Sequence, residues 1–113
     1  MNERLFLTTT FSPMMLASGR SASVEEISLT EAREILGNRS WESAVSHEAT
    51  AQVVTALFGF HIPFNRANLS LDHEDQVVCV IPAFRADVAR EFSYDEVVTA
   101  GYRVFLVCVF DES

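Results

Sequence analysis

The apolar residues of this chain fall into short runs separated by polar segments, a pattern typical of alternating strands and helices. Strands are predicted at residues 4–9, 61–71, 77–81 and 102–110, with weaker candidates at 24–30 and 41–45. The apolar run at 102–110 indicates a strand that is covered on both faces, by helices or by a partner subunit. Residues 18–23 are rich in Ser and Gly and are expected to form a flexible loop.

Helices are predicted at residues 28–38, 46–59 and 93–101. Candidate caps at their starts are Thr30, Ser46 and Ser93, and the glycines that mark their ends are Gly37, Gly59 and Gly101. The middle helix is the clearest, because its apolar residues recur on one face. The resulting order, β-(β)-α-α-β-β-α-β, predicts an α/β fold. We expect one domain over residues 1–113, with a mixed sheet of about five strands flanked by helices.

The composition narrows the classes of function. Hydrophobic residues make up 49% of the chain, so a domain of this size can build a real core. The net charge of −8 argues against binding to long nucleic acid, which normally requires a basic face. All eight basic residues are Arg, and two or three of them would suffice to hold a small anionic ligand through fork-like phosphate contacts.

Other features indicate the compartment. No apolar run reaches the roughly 18 residues of a membrane-spanning helix, and residues 1–12 lack the design of a signal peptide, so a cytoplasmic protein is expected. Cys79 and Cys108 lie in apolar runs and are expected to be free thiols. The acidic run at 72–75 is interpreted as a solvated turn rather than a metal site. We therefore expect no metal and no other cofactor.

The candidate chemistry centres on His47, which lies at the start of the middle helix. A helix start exposes unpaired N–H groups and attracts phosphate. Asn65 and Arg66 follow that helix, and Arg85 follows the apolar strand at 77–81. One histidine, an Asn-Arg pair and a further Arg are a set that can converge on a phosphodiester.

Each of these residues can also be explained by a purely structural role. His47 can simply begin a helix, and Arg66 and Arg85 can be surface ion-pairing residues in an acidic chain. Ser12 can cap the turn at Pro13. For Trp41, packing in the core or at an interface is favoured over stacking on an adenine, and His61 is interpreted as a rim residue rather than a ligand.

Several segments carry a resemblance to a known family. They read LFLTTTFSPMML, SLTEAREIL and SAVSHEATAQVVTALFGFHIPFNR, followed by an apolar strand and Arg85. Together they resemble the viral ring nucleases, the type III anti-CRISPR proteins of archaeal viruses and bacteriophages. The resemblance runs from Leu5 to the last strand and is most specific in the block around His47. It implies a homodimer with a mixed five-stranded sheet that binds cyclic tetra-adenylate and cleaves it without metal.

The resemblance also implies roles for individual residues. His47 would be the general acid that protonates the leaving 5′-oxygen when the neighbouring 2′-hydroxyl attacks the phosphate. Arg85 and Arg66 would hold the phosphate and its developing charge. The remaining ligand-binding positions implied are Thr9, Ser12, Ser46 and Asn65.

This chain departs from the family pattern at several positions. Thr9 replaces an Asn, Ser46 replaces a Gly, and Val88 replaces a Glu that helps to orient the histidine. Asp87 and Glu91 are the candidates for a compensating carboxylate. The departures motivate an alternative function, a protein that binds and sequesters a cyclic oligonucleotide without cleaving it. A third hypothesis, drawn from the charge and the apolar strands, is an acidic dimer that contacts a protein partner.

Overall fold

The strands of this chain form one mixed five-stranded sheet in a computed structural model that describes residues 4–111. The strands are β1 (Leu5–Thr8), β2 (Arg20–Ile27), β3 (Glu42–Ser43), β4 (Gln76–Pro82) and β5 (Tyr102–Asp111). The helices are α1 (Leu29–Asn38), α2 (Glu48–Phe58) and α3 (Tyr94–Ala100), and a short 3-10 turn spans Pro13–Met15. The sheet order is β2-β5-β4-β1-β3. The predicted α/β class and mixed sheet are confirmed.

Alternating side chains give the sheet two apolar faces, as the period of a strand requires. On one face, Leu5, Leu7 and Val78 pack with buried residues of all three helices. On the other face, Phe6 and Val77 pack with residues from the segments 11–16 and 69–71. The helices therefore cover one face, and irregular segments cover part of the other.

Strand β2 corrects the prediction of a flexible loop at 18–23. Residues 20–27 pair along their whole length with β5, from Arg20 opposite Asp111 to Ile27 opposite Val104. The local sequence is polar because β2 is an edge strand with much of its surface exposed. Its partner lies about 80 residues away along the chain, so local patterning does not reveal the pairing.

The segment 61–71 corrects the prediction in the opposite direction, because it contains no regular strand. Only Leu71 forms an isolated bridge, with Leu16. At the start of the segment, side-chain hydroxyls bond to the backbone: the Ile62 N–H donates to Thr55 Oγ1 at 2.9 Å, and Ser43 Oγ donates to the Pro63 carbonyl at 2.5 Å. Such local bonds compete with sheet pairing.

The helix ends agree with the sequence in part. Ser93 caps α3 and Gly59 ends α2 in the left-handed conformation, with φ of 82°, as predicted. The cap of α1 is Ser28, which forms a reciprocal capping box with Glu31, so the prediction of Thr30 was wrong. Helix α2 begins one residue later than predicted, with His47 rather than Ser46 at the cap position.

The acidic turn at 72–75 is only partly solvated. The Asp75 side chain is completely buried and accepts hydrogen bonds from Arg4, while Asp72 pairs with Arg20. The interpretation of a solvated turn was therefore wrong for Asp75. Cys79 and Cys108 are free thiols, as predicted, and burial raises the pKa of the Cys79 thiol.

Candidate functional site

The strand directions place most of the predicted site residues at one edge of the sheet. Strand β1 runs parallel to both β3 and β4, so the carboxyl ends of all three strands meet there. Thr9 follows β1, His47 follows β3, and Arg85 follows β4. In open α/β sheets, ligands bind outside the carboxyl ends of the strands. Residues that are nearly 40 positions apart in sequence are neighbours for this reason.

A cleft of about 600 Å³ opens at this edge. One wall is the start of α2, with His47, Glu48 and residues 49–50. The opposite wall is the loop after β4, with Arg85 and Asp87. The structure thus brings the two predicted catalytic residues, His47 and Arg85, to one cleft.

His47 occupies the cap position of α2 but makes no capping hydrogen bond with its side chain. Its side chain is exposed. The first turn of α2 leaves backbone N–H groups that no intrahelical carbonyl can accept, so this end of the cleft carries partial positive charge. The imidazole is therefore available to a ligand beside a weak anion-binding element.

The contacts of the eight arginines test the alternative that Arg66 and Arg85 are ordinary surface ion-pairing residues. All eight lie within residues 4–111, and six have their guanidinium groups engaged by protein acceptors. Those six are Arg4, Arg20, Arg33, Arg39, Arg90 and Arg103.

Arg66 and Arg85 differ from the other six. Within the described part of the chain, Arg66 forms no salt bridge and Arg85 forms a single loose one, 3.8 Å from Nε to Asp87 Oδ1. The Arg85 and Asp87 side chains are 93% and 82% exposed, and a pair this exposed is worth little. The fold therefore uses the other six arginines and leaves these two accessible to a ligand.

Asn65 holds the chain after α2 in place. Its side-chain amide donates to the Ser43 carbonyl at 2.8 Å, and its backbone N–H donates to the Val45 carbonyl at 2.7 Å. These bonds fasten the segment around Arg66 to the end of β3. Asn65 and Arg66 are both exposed, and neither lines the His47 cleft.

The remaining predicted ligand residues lie near the same edge without lining the cleft. Ser12 Oγ accepts from the Met14 N–H at 3.3 Å, which is the capping role considered from the sequence. Thr9 and Ser46 are half-buried. Trp41 is half-buried, packs against Phe60 with ring centroids 6.1 Å apart and contacts the core, in agreement with the predicted packing role.

The base of the loop that carries Arg85 is well anchored. Arg90 pairs with Glu96 at 2.7 Å and lies 3.8 Å over the Phe92 ring, which contacts Phe84. The Arg90 guanidinium, together with the Ser93 N–H, lowers the pKa of Glu96 to about 2. Residues 85–89 project from this base to form the exposed wall of the cleft.

A family model described as STIV B116-like matches residues 5–103, which include every residue of the cleft. The chain belongs to the STIV B116-like family. Uncharacterized protein 26 of Sulfolobus islandicus filamentous virus is 35% identical over 83 residues, covering 73% of this chain and 70% of that protein. The predicted relationship to proteins of archaeal viruses is confirmed.

A solved structure shares the fold. B116 of Sulfolobus turreted icosahedral virus superposes with a TM-score of 0.81 at 19% identity, covering 93% of this chain and 98% of that one. At this identity the likeness concerns the fold alone.

The two carboxylates considered as partners of His47 occupy different positions in this STIV B116-like protein. Asp87 lines the cleft and Glu91 does not. Val88 is 67% exposed and does not line the cleft either. Among residues 4–111, no carboxylate forms an ion pair with His47. Of the two candidates from the sequence, only Asp87 therefore shares the cleft with the histidine.

Glu48 is the residue that sequence reasoning missed. It lies in the first turn of α2 and lines the cleft next to His47. An acidic residue at a helix start is ordinarily explained by the helix dipole, so Glu48 did not stand out as a candidate ligand residue. Its adjacency to His47 was the available signal.

Within 4–111, no three His, Cys, Asp or Glu side chains are grouped so that they could hold a metal ion. No helix in that range is long and apolar enough to cross a membrane.

Proposed function

We propose that this protein is a metal-independent ring nuclease that binds and cleaves cyclic tetra-adenylate, and that it thereby counteracts type III CRISPR immunity in the cytoplasm of an infected host cell. The observation that carries the proposal is the shared cleft of His47 and Arg85 at the start of α2. The accessible guanidinium groups of Arg85 and Arg66 add to it, because the fold does not use them.

The proposed reaction is an internal transfer at phosphorus. The ribose 2′-hydroxyl attacks the adjacent phosphate in line, forming a bond to phosphorus and releasing its proton to a water molecule of the solvent. The bond to the 5′-oxygen breaks, and protonated His47 donates a proton to that leaving oxygen. The products are a 2′,3′-cyclic phosphate and a 5′-hydroxyl. Arg85, with the N–H groups of α2, stabilises the negative charge that develops on the phosphate.

The proposal includes a homodimer, because a ring of four identical nucleotides can have a two-fold axis that equivalent subunits match. Exposed apolar residues on the sheet face away from the helices support it. Val24 is 56% exposed and Ile81 45%, and they border a small apolar cleft of about 240 Å³ with Phe11 and Phe105. Phe11 and Ile81 lie toward the same edge as His47, so pairing through this face would bring two catalytic clefts near each other.

A second candidate is binding without turnover. It is favoured by the absence, among residues 4–111, of a carboxylate paired with His47, and by the exposed position of Val88. Without an orienting partner the imidazole samples several rotamers, and the proton transfer loses efficiency. The protein would then act by sequestering its ligand.

The test is incubation of the purified protein with labelled cyclic tetra-adenylate in EDTA. His47→Ala should cleave on the order of 10²- to 10⁴-fold more slowly than the wild type. The matched control is His73→Ala, which removes an exposed histidine from the acidic turn and should leave the rate unchanged. Equal rates for His47→Ala and the wild type would remove the catalytic assignment.

The same experiment separates the alternatives. Tight binding by calorimetry, with the ring recovered intact after hours, would support sequestration. Neither binding nor cleavage across rings of different size would remove both nucleotide functions and leave the protein-partner hypothesis for a pull-down experiment.

A further inference from the structure

A second groove of about 310 Å³ adjoins the His47 cleft. Its walls are the exposed side of α2 and the segment after that helix, and it is lined by Glu48, Ala51, Gln52, His61, Ile62, Pro63 and Phe64. Glu48 lines both cavities, so its side chain lies where they adjoin. The volume lies at the lower end of the range typical of small-molecule sites.

The groove has a fixed floor and a tethered wall. Ala51 and Ile62 form the floor and are 4% and 1% exposed. The wall segment is fastened at Ile62 to Thr55 of α2, and at Pro63 to Ser43 of β3. The Asn65 bonds to β3 described above close the segment on its other side. The groove is therefore formed before any ligand arrives, and a preformed site lowers the cost of binding.

Phe64 presents an aromatic ring on this tethered wall and is 51% exposed. Any of the nucleobases can stack on such a ring, and the contact contributes substantially to the binding of single-stranded nucleic acid. The exposure of Phe64 does not follow from a loose loop, since hydrogen bonds hold its neighbours on both sides.

The polar groups of the groove select the kind of base. The Glu48 carboxylate only accepts hydrogen bonds, so it pairs with an exocyclic amine and repels a carbonyl oxygen in the same place. The Gln52 amide both donates and accepts, which matches the adjacent amine and ring nitrogen of adenine. Arg85 lines the neighbouring cleft and not this groove, so the phosphate is expected in that cleft and the base in this groove.

We propose that this groove is an adenine-binding subsite, in which Phe64 stacks on the base while Glu48 and Gln52 read its amino edge. The inference rests on the proposed function, because the base belongs to a nucleotide whose phosphate occupies the His47 cleft. It assigns specificity for adenine to residues that take no part in the cleavage step.

The experiment measures ring binding by calorimetry in the His47→Ala background, so that the ligand is not consumed. Phe64→Ala should weaken the binding of cyclic tetra-adenylate by roughly 5- to 150-fold, and Phe64→Trp should restore it. The matched control is Phe110→Ala, which removes a similarly exposed ring at the far end of β5 and should leave the affinity unchanged.

Specificity is tested with a second ring in which hypoxanthine replaces adenine, so that a carbonyl oxygen stands in place of each amine. The His47→Ala protein, which is the parent of the variants in this experiment, should bind the adenine ring more tightly by roughly 5- to 150-fold. Glu48→Ala should reduce that preference, while Glu34→Ala, an exposed acid on α1, should retain it.

The outcomes distinguish the two proposals. If the parent protein binds cyclic tetra-adenylate but Phe64→Ala and Glu48→Ala change neither affinity nor preference, the subsite is wrong and the proposed function stands. If neither the wild type nor the His47→Ala protein binds either ring, the proposed function is wrong and the subsite is lost with it.

Discussion

The ion pair between Arg4 and Asp75 should contribute strongly to the stability of this fold. Arg4 donates from Nε at 3.1 Å and from Nη2 at 2.5 Å to the two oxygens of Asp75. The Asp75 side chain is completely buried, while the Arg4 side chain is 48% exposed. The Asp72 N–H adds a third hydrogen bond to the carboxylate at 2.9 Å.

The perturbation is Arg4→Met, which keeps an aliphatic chain over the Phe6 ring and removes the charge. A buried carboxylate that loses its partner typically costs about 3–5 kcal/mol of stability. Because half of Arg4 is exposed, solvent screens the pair, and the remaining hydrogen bond still serves Asp75. We therefore expect a loss of about 2–3 kcal/mol in the free energy of unfolding.

The chain offers a matched control in Arg103. It donates from Nε at 3.2 Å and from Nη2 at 2.9 Å to Glu26, and it lies 4.9 Å over the Phe105 ring, much as Arg4 lies 5.2 Å over Phe6. Both partners of this second pair are largely exposed. Exposed pairs add little to stability, so Arg103→Met should leave the unfolding midpoint nearly unchanged.

The assay is urea unfolding followed by circular dichroism, with thermal unfolding as a second measurement. The expected loss for Arg4→Met corresponds to a decrease in Tm of roughly 10–20 °C. Equal losses for Arg4→Met and Arg103→Met would refute the reasoning, because the two variants differ mainly in the burial of the carboxylate.

Two further predictions concern acid sensitivity and backbone conformation. The pKa of Glu96 lies below its ordinary value of 4.5, at about 2. Its pairing with Arg90 therefore stabilises the fold above pH 4.5, and this stabilisation is lost as the pH falls through about 2. The difference in Tm between the wild type and Glu96→Gln should shrink over that pH range, and a constant difference would contradict the assignment. Gly59→Ala should lower the free energy of unfolding by about 1–2 kcal/mol because Gly59 has a positive φ. Gly37→Ala should raise it by roughly 0.5–1 kcal/mol, because Gly37 lies within α1 and the added methyl group would meet open space. Urea unfolding measures both changes, and changes of the same sign would contradict the conformational explanation.

Most of the regular elements followed from local patterns. Strands β1, β4 and β5 are runs of apolar residues, and the three helices carry both apolar spacing and end signals such as Ser93 and Gly59. Residues 20–23 of β2 were wrongly predicted as a loop, whereas the weaker strand candidate at 24–30 covers the second half of that strand. The segment 61–71 was wrongly predicted as a strand. Residues 20–23 join the strand because β5 provides a partner along its whole length, whereas Ile62 and Pro63 bond to the side-chain hydroxyls of Thr55 and Ser43 rather than to a strand.

The sequence by itself determined which residues are candidates for the proposed phosphate chemistry, namely His47, Arg66 and Arg85. It also determined the start of α2 to within one residue. Only the tertiary structure decided which of these residues share a cleft, because the parallel pairing of β1 with β3 and β4 brings the carboxyl ends of distant strands together. It also decided the place of Glu48, which lies between two cavities because α2 and the tethered segment after it enclose a second groove.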